Sequence, residues 1–237
     1  TVDFVEFGSL GNAVDFGDLA VDVAYQGTTS NSIRGIVMGG SATPNDSTKK
    51  NEIQMISIAS RANATDFGDL TAARNNGYSC SNGHGGLQEF HPRAPELYSP
   101  TGKVVPSGLG LGDIGIFNGG EAPSSTNVID FIQISSIGNA MDFGDLTAAN
   151  AIGGAVSSAT RYVTIGDNDS NLDTHYLEFR SKGNTAFFGD LTVRGYAGAG
   201  GSSSTRGINY GRANPATSGS ANETIDYITT ATIGNWT

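Results

Sequence analysis

The segment Asp142-Phe143-Gly144-Asp145-Leu146 decides the fold, because it recurs along the chain. The same five residues occupy positions 15–19 and 66–70, and positions 187–191 differ only by a Phe in the first place. An Asn lies three positions before each copy, and another lies near the C-terminal end: Asn12, Asn63, Asn139, Asn184 and Asn235. A pattern repeated at spacings of roughly 45–75 residues is the signature of a repeat architecture.

Two further kinds of predicted strand accompany each copy. Stretches in which apolar residues alternate with polar ones precede the Asn residues, at positions 2–7, 53–58, 128–134, 175–179 and 225–228. Short stretches that end in Gly follow the copies, at positions 34–40, 113–120, 161–166 and 206–211. A period of two residues predicts β-strands, and no segment has a helical period, so the chain is predicted to be all-β.

One unit therefore holds about four short strands: a small-residue strand, the Gly-ended strand, the alternating strand and the Asp-Phe-Gly-Asp-Leu strand. The double Gly at 39–40 and 119–120, the aromatic residue of the third strand and the aromatic-x-x-Leu of the fourth resemble the kelch repeat. The sequence Ile-Asp-Tyr-Ile-Thr at 225–229, together with the pattern Gly-Asn-Ala-x-Asp-Phe-Gly-Asp-Leu-Thr, is similar to repeats in structural proteins of tailed, marine-type bacteriophages.

This resemblance implies a kelch-like β-propeller of four repeat units, each of four short antiparallel strands, either complete or part of a larger propeller. Residues 1–237 would form a single domain with an insertion at about 84–112. The strands at the two ends of the chain would complement each other into one blade. One alternating strand, at 2–7 or at 225–228, would then be surplus and would form an extra edge or pair with another molecule.

The composition excludes several classes of protein. The formal net charge is −10, which disfavours binding to nucleic acid or to an anionic membrane surface. Hydrophobic residues make up 37% of the chain, enough to build a core, and no apolar run approaches the length of a membrane span. Cys80 is the single cysteine, so an intrachain disulfide is impossible.

The paired acids of the repeated motif could suggest acid–base catalysis or metal binding. Because the pair recurs around the repeat, a structural role in turns is the better interpretation. The predicted structural positions are the aromatic and the second acid of each copy: Phe16, Phe67, Phe143, Phe188, Asp18, Asp69, Asp145 and Asp190. Arg34, Arg161 and Arg206 recur at the start of the Gly-ended strands, and an Arg–Asp pairing between neighbouring strands or blades would explain both sets.

Two metal sites are weak hypotheses. Oxygen-bearing residues alternate at Asp167, Asp169, Asn171 and Asp173, and Glu178 falls in the twelfth position of a calcium loop. The turn glycine of such a loop is replaced by Leu172, so a solvated acidic turn is favoured. Cys80, His84 and His91 match no strong zinc spacing. No cofactor is predicted.

The insertion at about 84–112 is the main departure from the repeat. It concentrates aromatic and basic side chains that are scarce elsewhere on an acidic chain, and these are the candidate binding residues: His84, Phe90, His91, Arg93, Tyr98 and Lys103. Loops carry binding residues more often than the strands that hold them. A tolerated loop without a partner is the alternative.

The predicted function is that of a non-enzymatic virion structural protein: a tail fibre, tail tip or baseplate propeller that contacts the host receptor or other virion subunits. The expected location is the virion, an extracellular particle, and the expected partners are virion subunits or a host cell-surface glycan or protein. Nucleic acid and membrane insertion are not expected. The alternative is a carbohydrate-binding, lectin-like propeller that would use Tyr25, Tyr78 and Tyr196.

Overall fold

The computed structural model describes residues 1–42, 48–83, 113–166, 171–195, 198–211, 213–214, 220–221 and 223–237. Within them the chain is all-β, without a helix, and every strand pairing is antiparallel. Most strands belong to five small sheets, which we number I to V in chain order. A separate two-residue pair joins β17 (Ala213–Asn214) to β18 (Ser220–Ala221).

Sheet I is a hairpin of β1 (Val2–Phe4) and β2 (Val14–Gly17). Sheet II contains β3 (Gly27–Ser30), β4 (Arg34–Met38), β5 (Glu52–Ser57) and β6 (Thr65–Asp69). Sheet III contains β7 (Tyr78–Ser81), β8 (Ile114–Asn118), β9 (Thr126–Gln133) and β10 (Met141–Asn150). Each of these sheets follows the order of the chain.

Sheet IV contains β11 (Gly154–Ser157), β12 (Arg161–Ile165), β13 (Asp173–Glu178) and β14 (Ala186–Asp190). Sheet V contains β15 (Ala199–Ser202), β16 (Arg206–Tyr210) and β19 (Asp226–Thr229). We call the four strand positions of a complete sheet a, b, c and d. Sheet I thus corresponds to positions c and d, and sheet V to positions a, b and c.

The sheets stack face to face in chain order, and an apolar cluster lies between each pair of successive sheets from II to V. Ile36, Ile53 and Phe67 of sheet II meet Ile132 and Ile134 of sheet III in one cluster. A second cluster joins sheets III and IV, and a third joins sheets IV and V. We call the face turned towards the next sheet the front and the opposite face the back. Sheets III and IV, with a neighbour on both faces, bury most of their apolar residues against those neighbours.

Small residues let the first strands of successive sheets approach closely. Strands β3, β7, β11 and β15 lie side by side in that order. The Ser79 hydroxyl donates to the Thr28 carbonyl at 2.7 Å, and the Ser157 hydroxyl donates to the Ser81 carbonyl at 2.6 Å. The small-residue composition predicted for this strand therefore serves direct contact between the edges of the sheets.

A β-bulge at the repeated Phe is common to all four c–d pairings. In sheet II, Asp66 pairs with Gln54 and Gly68 pairs with Ile53, so Phe67 is the extra residue. In the other three c–d pairings the extra residue without a partner on strand c is likewise the repeated Phe: Phe16, Phe143 and Phe188. Such a bulge bends the strand and redirects a side chain. Phe67, Phe143 and Phe188 are buried, whereas Phe16 of the hairpin is only half-buried.

The two ends of the chain do not share a sheet. In the described residues β1 pairs with β2, and β19 pairs with β16. Three complete four-stranded sheets are present there rather than four, because the first motif copy belongs to the hairpin. Each terminal segment packs on its neighbour in the chain, sheet I on sheet II and sheet V on sheet IV. The predicted closure of both ends into one blade is not seen.

Candidate functional site

The insertion leaves the stack at a turn that is closed like its counterparts. In sheet II the a–b turn is held by the Asn31 side chain, which accepts the Arg34 amide at 2.8 Å. Ser158 and Ser203 accept the amides of Arg161 and Arg206 in the same way. In sheet III, Asn82 accepts the Ile114 amide at 2.9 Å, with the whole insertion between these two residues.

The residues at the root of the insertion are firmly held. The Asn82 amide also donates to the Ile114 carbonyl at 3.1 Å, and Asn82 is buried. The Ser81 hydroxyl donates to the Ser30 carbonyl of sheet II. On the far side, the Asp113 carboxylate accepts the amide and hydroxyl of Ser135, both at 2.7 Å. The insertion therefore replaces a two-residue turn without disturbing the strands that flank it.

The six candidate binding residues of the insertion lie outside the described residues: His84, Phe90, His91, Arg93, Tyr98 and Lys103. What the structure supplies is the place from which the segment departs. That place is the end of sheet III that also carries the c–d turn, since the Ile134 amide donates to the Asp113 carbonyl at 2.7 Å.

A repeated joint connects each d strand to the next sheet. The backbone amides of Asp18, Asp69, Asp145 and Asp190 donate to the side chains of Asn63, Asn139, Asn184 and Asn235, at 3.0–3.1 Å. At the same place a Cβ on Gly144 would lie 2.3 Å from the Gly183 carbonyl oxygen. Sequence reasoning found the Asn and the Gly as markers of the repeat, but not their partnership across the joint.

The repeated arginines reach backbone carbonyls rather than aspartates. Arg34 Nη1 donates to the Ile134 carbonyl at 2.6 Å, from sheet II to sheet III. Arg161 Nη1 donates to the Thr230 carbonyl at 3.0 Å, from sheet IV to sheet V. The acidic partner of Arg161 is Glu178 of its own sheet. The proposed Arg–Asp pairing is therefore wrong for these two residues, because each donates to the carbonyl of the residue that follows the c strand of the next sheet.

A buried ion pair fixes the connection from sheet II to sheet III. Arg74 Nη2 and Asp130 Oδ2 are 2.8 Å apart, and both side chains are buried. Burial lowers the pKa of Arg74, and the Asp130 charge opposes that shift. The Asp130 carboxylate also accepts the amide and hydroxyl of Thr71. Such a pair is costly to break from one side, because the remaining charge would be buried alone.

A polar cluster lies between sheets III and IV. The Tyr162 hydroxyl donates to Asn118, and the Asn150 amide donates to the Tyr78 hydroxyl at 2.9 Å. Burial raises the pKa of Tyr162 well above its ordinary value, with Tyr78 and Cys80 adding to the shift. Burial likewise raises the pKa of the Cys80 thiol to about 12. Its sulfur donates to the Ala155 carbonyl at 3.4 Å, so this cysteine lies in a structural environment.

The calcium hypothesis gains no support from the described part of the loop. Asp167 and Asp169 lie outside the described residues, and Asp173 begins β13 opposite Asp190. The carboxylate at the twelfth position, Glu178, is engaged by Arg161 at 2.6 Å. Within the part of the chain that the structure describes, no group of three or more His, Cys, Asp or Glu side chains is arranged to hold a metal ion.

The tyrosines of the lectin alternative are not equivalent. Tyr25 is exposed and has a left-handed backbone with φ 58°, the position taken by Asn76 and Ile152 in the next two units. Tyr78 is buried and bonded to Asn150. Tyr196 lies outside the described residues. The two tyrosines that can be compared therefore do not form a repeated sugar-binding surface.

No protein-family model matches the chain, and no curated protein matches it either. In the described ranges no helix has the length and apolar character needed to cross a membrane.

Proposed function

We propose that the chain is a non-enzymatic virion structural protein whose stacked sheets act as a scaffold and whose insertion makes the specific contact. The observation that carries this proposal is the closed turn at Asn82 and Ile114, from which the insertion departs. A stack of similar units presents similar surfaces. An insertion in only one unit gives that unit a surface that the others lack, and this surface makes the specific contact. The partner is a host cell-surface glycan or protein, or another subunit of the particle.

The kelch-like propeller fold is part of this proposal. In a kelch-like propeller the sheets are the blades, and a ring requires sheet V to meet sheet I, either of the same molecule or of a second copy. The repeat sequence, which resembles repeats of phage structural proteins, supports a place in a tail fibre, tail tip or baseplate. It also supports the virion as the location.

The test removes the insertion and spares the turn. Residues 83–112 are replaced by a single Ala, so that this Ala and the retained Asp113 stand between Asn82 and Ile114, as two residues stand between Ser158 and Arg161 in sheet IV. We expect a melting temperature within a few degrees of the parent's, because loop length has a small entropic effect. We expect binding to bacterial cells to be lost, as measured with the fluorescently labelled chain.

A second variant separates loop chemistry from loop length. It keeps the insertion and changes its six candidate binding residues to Ala, and it should lose binding as the shortened chain does. The control changes Lys50 to Ala and should bind normally, because this lysine lies just before β5, far along the chain from the insertion, with its side chain 3.7 Å from Glu52. A shortened chain that binds like the parent would show that the insertion does not make the specific contact. Glycan-array binding by that shortened chain would instead favour the lectin-like function.

A further inference from the structure

The front face of sheet V is apolar and exposed where its counterparts are buried. Ile225 is 67% exposed, whereas Ile53 and Ile129, at the same register position of sheets II and III, are fully buried. Ile208 of strand b is 39% exposed, whereas its counterparts Ile36 and Ile116 are buried. In sheets II to IV this face packs on the next sheet of the stack.

The back face of sheet I is exposed in the same way. Val5 is 53% exposed, whereas its counterparts Ile132, Leu177 and Ile228 are buried against a preceding sheet of three or four strands; Ile56, which has only the hairpin of sheet I behind it, is half-buried. Phe7 is fully exposed, whereas Ile134 and Phe179 at the same position are buried. The side chain of Asn12, the joint residue of this hairpin, has no partner among the described residues. Sheet I thus leaves its back face and its joint residue without the preceding neighbour that sheets II to V have.

We propose that sheet V of one molecule stacks on sheet I of a second copy, front to back, so that copies of this chain associate head to tail. The interface continues the stacking seen between successive sheets inside the chain. Val5 and Phe7 of the second copy would take the places that Ile132 and Ile134 hold against sheet II. Association between two different faces of one molecule is heterologous and extends to rings or filaments.

Arg206 adds a polar contact to this interface. Its counterparts Arg34 and Arg161 donate across their joints to the carbonyl that ends the c strand of the next sheet. The Arg206 guanidinium lies over the Tyr227 ring, 5.0 Å from its centroid, and has no such acceptor in the described residues. The corresponding carbonyl in the second copy is that of Phe7. The Arg206 guanidinium on sheet V can therefore donate to the Phe7 carbonyl on sheet I of the second copy.

The experiment measures the mass of the chain in solution by sedimentation equilibrium over a roughly hundredfold range of concentration. We expect the parent's mean mass to rise beyond that of a dimer. Ile225→Asp disables the front face and Phe7→Asp disables the back face, and both sites are exposed enough to accept the change. Each variant alone should stay monomeric. Mixed together, they should form a one-to-one dimer and nothing larger, because each supplies one intact face.

Controls keep the result specific. Ile33→Asp makes the same change at an exposed isoleucine on the a–b turn of sheet II and should associate like the parent. Arg206→Ala should weaken association by about tenfold. The chain with the shortened insertion should associate fully, so this test is independent of the proposed function. A parent that stays monomeric throughout, or two face variants that fail to pair, would overturn the proposal.

Discussion

At the scale of single residues, Gly144 shows why the repeated motif contains glycine. Its φ is +152°, and a Cβ would lie 2.3 Å from a backbone oxygen of the next sheet. We expect Gly144→Ala to reduce the free energy of unfolding by about 1–3 kcal/mol. Gly138→Ala, where a Cβ meets open space, should change it by less than about 0.5 kcal/mol. Denaturant titration of both variants checks this, and equal losses would contradict it.

A second residue-scale prediction concerns Cys80. Burial raises the pKa of its thiol to about 12, so the reactive thiolate is scarce in the folded protein at pH 8. We expect Ellman's reagent to label the native chain far more slowly than the chain in denaturant. Because the unfolded thiol ionises at lower pH than the folded one, its ionisation should favour unfolding as the pH rises above about 9. Rapid labelling of the native chain at pH 8 would contradict the raised pKa of the Cys80 thiol.

At the scale of elements, the bulged Phe of strand d joins one sheet to the next. Phe143 is buried in the cluster between sheets III and IV and forms an edge-on pair with Phe131, 5.7 Å between centroids. We expect Phe143→Ala to cost about 3–5 kcal/mol of stability. Phe16→Ala should cost less, since Phe16 is half-buried. Thermal or chemical unfolding measures both, and a loss below about 1 kcal/mol for Phe143 would contradict its role.

The strands themselves could be predicted from the sequence, and the joints could not. Alternation at 53–58 and 128–134 predicts strands where β5 and β9 lie, because period two is a local property of the chain. The bond from the Asp145 amide to Asn184 joins residues of different sheets, and local pattern does not encode that contact. The destination of Arg34 was missed for the same reason, since its acceptor is a backbone carbonyl with no sequence signal. The insertion was found by length alone, and its root depends on Asn82, which no motif marked.

At the scale of the whole molecule, stability should be distributed unevenly along the stack. Sheets III and IV have neighbours on both faces, whereas sheets I and V have one neighbour each in the described residues. In such an array stability is a sum of unit and nearest-neighbour terms. We therefore expect native-state hydrogen exchange to be slowest in β8 and β12 and faster in β1 and β19. The measurement is made on dilute Ile225→Asp protein, so that association does not protect the ends. Uniform protection would indicate one cooperative unit instead.

The identical construction of the joints has a consequence for how such a chain changes over generations. Each boundary between units uses the same Asn, the same Gly and the same backbone groups. Recombination between two repeats in a gene would delete or duplicate a unit and still bring together parts that already fit. The number of units can therefore change in evolution while every boundary keeps the same interface. The insertion between Asn82 and Ile114 can vary independently of that number.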